Sequence, residues 1–271
     1  HVRGAVGRDR LGDINIEALS DGGVDTVLEF RVDALNGIAV VLVEKHGINT
    51  IVSIPGANAM LRRRAVEERL GVLRRMKGFV VMNPPAEVAE LLIETASANH
   101  ALLFLDPGRG LEGLVARLGR GVGDCFYLPN EQELLSVTGT RSLYRAVERL
   151  SSSGFECQLV VKRGEKGVLY IEPGSRVVAV SSLPLEVLGL EPVNTAGCGD
   201  ALTGVFAAYV VMGRPIEESL LYASVASSIN ASKPSPRSVP KRKELEELAS
   251  EALAQGLIEV RELPYHSIRF M

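Results

Sequence analysis

From about residue 61 onward, short wholly apolar runs alternate with longer segments whose apolar positions recur every three or four residues. The first pattern belongs to strands buried on both faces, the second to helices that bury one side. Strands are predicted at Phe79–Met82, Ala101–Leu105, Cys125–Leu128, Leu159–Val161 and Val168–Ile171. Helices are predicted at Arg62–Met76, Pro85–Ala98, Gly110–Leu118, Glu131–Val137, Leu143–Ser152, Asp200–Val211, Ile216–Ala231 and Lys241–Ala254. This alternation predicts an α/β fold: a doubly wound, mostly parallel sheet flanked by helices on both faces. In such folds ligands bind beyond the carboxyl ends of the strands.

The first 60 residues follow a different rhythm. A strand at Val2–Val6 and a helix at Leu11–Leu19 end at Gly22 and Gly23. Val27–Val32, Ile38–Val43 and Thr50–Ile54 are short, β-branched runs separated by Asn-Gly and His-Gly turns, which predict a small antiparallel sheet. The expected division is an α/β domain of residues 1–23 and 57–271, with an appended β-sheet over 24–56.

Composition narrows the function classes. The 271 residues, 46% of them hydrophobic, are enough for one large core. A net charge of −3 favours neither nucleic acid nor an anionic membrane as partner. No apolar run approaches a membrane span, and the opening residues are too polar for a signal peptide. Cys125, Cys157 and Cys198 are odd in number and lack metal-ligand spacing. They read as reduced thiols, hence a cytoplasmic protein. His1, His46, His100 and His266 have no mutual spacing suited to a metal.

Asn194-Thr195-Ala196-Gly197-Cys198-Gly199-Asp200 carries the most chemistry. Glycines flanking a small residue just before a helix leave backbone N–H groups pointing off its N-terminus, where the helix dipole favours an anion. The amides of Ala196, Gly197, Cys198 and Gly199 can form such an anion hole. Asp200 at its rim can take a proton from an attacking hydroxyl. Taken alone, the segment is equally a Gly-rich turn with an acidic helix cap. Asn130 and Glu133 can share the water shell of a Mg²⁺ ion, and they equally have capping-box spacing.

In order along the chain, the motifs are Gly7-Arg8-Asp9-Arg10-Leu11-Gly12, Gly22-Gly23, Gly56-Ala57-Asn58-Ala59, Asp106-Pro107, Asn130-x-x-Glu133, Gly164-x-x-Gly167 and Gly197-Cys198-Gly199-Asp200. Together they resemble the ribokinase-like (PfkB-type) carbohydrate kinases over about residues 4 to 255. The resemblance implies ATP-dependent phosphorylation of a hydroxyl on a small sugar, ribose-type first, or on a nucleoside. It makes Asp200 the general base. Asn130, Lys162, Gly164, Gly167 and Asn194 fall on the nucleotide side, Asn58 and Asn83 on the substrate side, and Asn130 and Glu133 near Mg²⁺. It also makes residues 24–56 a lid over the acceptor, through which two subunits can pair.

The sequence departs from that family in places. Asn194 stands where most members have Asp, so the monovalent-cation site is not carried over. Lys162 replaces a small polar residue, where a lysine can contact nucleotide phosphates or be a solvated strand end, and Asn83 stands where a substrate-contacting Glu is usual. The chain starts at His1 within the family's pattern, so a preceding segment with the first strand and a Gly-Gly-x-Gly-Ala-Asn motif is expected. A degenerate, non-catalytic kinase fold is one alternative. Another is an NAD-dependent oxidoreductase, for which Gly108-Arg109-Gly110-Leu111-Glu112-Gly113 supplies the fingerprint.

Overall fold

A computed structural model describes residues 1–26, 30–43, 49–106, 108 and 124–271. The Gly-x-Gly-x-x-Gly run from Arg109 onward, the helix predicted at Gly110–Leu118 and the start of the Val27–Val32 strand lie outside the described residues.

Eleven strands are described: β1 Ala5–Gly7, β2 Phe30–Val32, β3 Ile38–Val43, β4 Asn49–Ile54, β5 Gly78–Met82, β6 Leu102–Asp106, β7 Cys125–Tyr127, β8 Gln158–Lys162, β9 Val168–Glu172, β10 Arg176–Val180 and β11 Val260–Pro264. The described α-helices are α1 Arg10–Asp21, α2 Arg63–Glu67, α3 Leu70–Leu73, α4 Ala86–Ala98, α5 Glu131–Thr138, α6 Leu143–Ser152, α7 Cys198–Val211, α8 Ile216–Ala231 and α9 Arg242–Ala254. The main sheet runs β11-β10-β9-β8-β7-β6-β5. Strands β5 to β8 are parallel neighbours, and β8 to β11 pair antiparallel.

The apolar strands are explained by cores on both faces. In β6, Leu103 and Leu105 pack with α4 and α6 on one side. Phe104, between them, faces α7, α8 and α9 on the other. There it stacks on Phe126 at 5.1 Å, and Phe206 of α7 meets both rings edge-on. This cluster fixes α7 against the parallel half of the sheet. Each such ring pair adds about 0.5–1.5 kcal/mol beyond its buried area.

Four expectations change. The predicted helix Arg62–Met76 is two short helices, α2 and α3, interrupted at Glu68 and Arg69. The small antiparallel sheet contains only β3 and β4, while β2 pairs parallel with β1. Strands β10 and β11 have no counterpart among the predicted strands. Lastly, Cys125 and Cys157 are joined in a disulfide, leaving Cys198 as the free thiol. Parallel pairing of β7 with β8 brings the two cysteines together with Cα atoms 4.7 Å apart. This removes the reduced-thiol basis for a cytoplasmic location. Among the described residues no helix is long and apolar enough to cross a membrane.

Candidate active site

The carboxyl ends of β5, β6 and β8 and the N-terminus of α7 open into one cleft of about 1560 Å³. Asn83, Asp106, Asn130, Lys162, Gly199 and Asp200 all line it. The parallel half of the sheet therefore brings together residues spread over 118 positions, from 83 to 200.

The turn into α7 is built on Gly197, which has φ +77°. A Cβ there would lie 2.4 Å from the Pro236 carbonyl oxygen, so both backbone shape and space call for glycine. Two buried asparagines staple the turn to the segment beyond α8. Asn194 Oδ1 accepts from the Ala196 amide at 2.9 Å, and its Nδ2 donates to Pro234 O at 2.9 Å. Asn230 of α8 donates to Ala196 O at 3.2 Å and accepts from the Ser238 amide at 2.8 Å. The Ala196 amide is thus occupied within the protein, and the Cys198 amide makes a long bond of 3.3 Å to Thr195 O. Of the four amides expected to form the hole, Gly197 and Gly199, and with them that of Asp200, have N–H groups without a partner among the described residues. Asn194, expected beside the cofactor, instead serves the turn with both ends of its amide. Asn230 belongs to no motif, and nothing in the sequence singles it out from the other polar residues of its helix.

Asp200 opens onto the cleft. Desolvation by the cleft walls, and then the neighbouring Asp106 carboxylate, push its pKa up, while Lys162 pulls it down. A carboxylate held above its ordinary range is a better proton acceptor than a free one. Lys162 Nζ lies 2.6 Å from Asp106 Oδ2, with the two side chains only 12% and 9% exposed. Thr203 Oγ1 donates to the same Oδ2 at 2.7 Å. Burial pushes the Cys198 thiol up, which keeps it protonated.

Asn130 and Glu133 form the capping box of α5, with reciprocal bonds of 2.8 Å, and both also line the cleft. Among the described residues no group of three or more His, Cys, Asp or Glu is placed to ligate a metal. The donor set fits Mg²⁺, which keeps several waters and takes one or two protein oxygens alongside substrate phosphates. The 164–167 turn closes β8 onto β9, with Gly164 at φ +58° and Gly167 at φ +82°. A Cβ on Gly167 would fall 2.0 Å from Val180 O, so this glycine lets the turn lie against β10. Asn83 sits at φ +45° on the cleft rim, its amide bonded to Asp106 O at 3.2 Å. Asn58 is not brought to the cleft: it is exposed and packs against Gly37.

The model of the pfkB family of carbohydrate kinases matches residues 1–243. The chain belongs to the pfkB family of carbohydrate kinases. This pfkB-family chain is 27% identical over 239 residues to the ribokinase of Arabidopsis thaliana, covering 83% of the present chain and 60% of that protein. It is 28% identical over 222 residues to the deoxyribokinase of Salmonella typhi, covering 79% and 70% respectively. The structure of Arabidopsis thaliana ribokinase complexed with ribose and ATP matches with a TM-score of 0.79 at 26% identity, over 91% of this chain and 80% of that one. The fold is accordingly the ribokinase-like one, with its small separate sheet.

Proposed function

We propose that this chain transfers the terminal phosphoryl group of ATP to a hydroxyl of a small sugar, ribose-type first, or of a nucleoside. The observation that carries this reading is the Asp200 carboxylate, which opens onto the cleft at a helix N-terminus where the Gly197, Gly199 and Asp200 amides have no partner among the described residues. Asp200 accepts the proton of the attacking hydroxyl. The Gly197, Gly199 and Asp200 amides and Lys162 take up charge on the phosphoryl group in transit. The Gly164–Gly167 turn borders the nucleotide, and Asn83 stands on the acceptor side. Asn130 and Glu133 would hold Mg²⁺ with most of its water shell, and the ion would supply neutralisation of phosphate charge. The β3–β4 hairpin covers the acceptor and excludes water, whose attack would waste the nucleotide.

The hairpin also pairs two copies of the chain. Val40, Leu42, Val52 and Ile54, which share one face of the hairpin, and Ile51 on the other are all more than 45% exposed, an apolar exposure unusual for a free surface.

The test is ³¹P NMR of the full chain with Mg·ATP and, in turn, ribose, deoxyribose, fructose and nucleosides. The reading expects a phosphomonoester signal with one acceptor class and none without the chain. ATP consumption that no acceptor stimulates contradicts it.

A further inference from the structure

We propose that Asp106 and Thr203 are positioning residues that fix the Lys162 ammonium beside Asp200, where it meets the transferred phosphoryl group. The inference rests on reading the cleft as a phosphoryl-transfer site and adds to it how the cation is held.

Three elements converge here: Asp106 ends β6, Lys162 ends β8 and Thr203 lies in the first turns of α7. Asp106 Oδ2 accepts from both Lys162 Nζ and the fully buried Thr203 hydroxyl. A lysine side chain has four rotatable bonds and is otherwise a wandering charge. Two fixed donors on one carboxylate oxygen remove that freedom. Nζ donates to no second described residue, so two of its three N–H groups remain available in a side chain only 12% exposed. Those donors lie beside the anion turn, because a Cβ built on Gly199 would sit 3.6 Å from Nζ.

Charge arithmetic favours a functional role. Beside the anion turn, loss of Lys162 would leave two neighbouring carboxylates, Asp106 and Asp200, facing an incoming polyphosphate. A buried ion pair is also a poor stabilising device compared with apolar residues of the same volume. Its cost is understandable where a cation must be held in one place.

Steady-state kinetics on the full chain, with the active fraction normalised by thermal melts, test the clamp. Lys162→Met should lower kcat about 100-fold and Lys162→Arg less, as expected when a donor to transition-state charge is lost or displaced. Asp106→Asn keeps the cation but frees it and removes a repelling charge. It should therefore lower kcat about 10-fold or more while the KM for ATP stays the same or falls. A purely structural pair would instead lower the melting temperature and leave kcat of the folded fraction unchanged. Asp106→Asn within about 2-fold of wild-type kcat, or a raised KM with kcat unchanged, overturns the clamp. Wild-type protein that transfers no phosphoryl group would sink the underlying reading and the clamp with it, whereas an active wild type with an indifferent Asp106→Asn sinks the clamp alone.

Discussion

Asp200 sits where its ionised form is uncomfortable, and the discomfort is measurable. Its pKa is raised in the fold, by desolvation first and Asp106 second. The unfolded chain therefore ionises at lower pH than the folded one, and the ionised carboxylate destabilises the fold at every pH above its folded pKa. Asp200→Asn should melt higher than wild type at pH 7, by about 2–4 °C for each kcal/mol relieved. The gap should close as pH falls through the folded pKa towards the unfolded value near 3.9. Calorimetry at several pH values checks this, and an Asn variant that melts lower at neutral pH would contradict it. The acid limb of turnover should move too: up in Lys162→Met, down in Asp106→Asn, since these two groups pull Asp200 in opposite directions. At this scale the sequence was half legible. Asp200 and the glycines stood out because their chemistry is local. Asp106 stood out only as part of a motif without a role, and Thr203 not at all, because their bonds join residues 56 and 97 positions apart. Only a folded sheet brings such partners together.

Among the elements, legibility followed the hydrophobic pattern. Leu143–Ser152 forms as predicted because it buries an apolar stripe, and Ile216–Ala231 because it is buried nearly all round, without a break from Ser219 to Ala226. The Arg62–Met76 pattern was misleading, since the buried Ala65, Val66 and Leu73 belong to two short turns. β11 was hidden because it is an edge strand of half-exposed residues that ends in proline. The disulfide between the start of β7 and the residue before β8 closes a loop of 32 residues around α5 and α6. In the chain-entropy account such a loop contributes about 3–4 kcal/mol. Both sulfur-bearing residues are buried, at 2% and 1% exposure, so reduction needs prior opening. Denaturant unfolding of Cys125→Ala/Cys157→Ala should show a loss of that size against the oxidised wild type. A midpoint shift near zero would mean that the bond stabilises nothing.

For the whole molecule, the parallel half of the sheet supplies the cleft, the antiparallel half braces the 164–167 turn, and the β3–β4 hairpin stands apart with apolar faces bare. Light scattering should give twice the chain mass, and Val40→Glu should return it to monomer. A monomeric wild type, or a dimer untouched by that substitution, contradicts pairing through the hairpin. The central claim is narrower: phosphoryl transfer occurs at the N-terminus of α7 with Asp200 as base. Turnover and Mg·ATP affinity of Asp200→Asn, measured side by side, test it most directly. The account predicts turnover about 10²–10⁴-fold lower with affinity within about 3-fold of wild type; turnover near the wild-type value would contradict it.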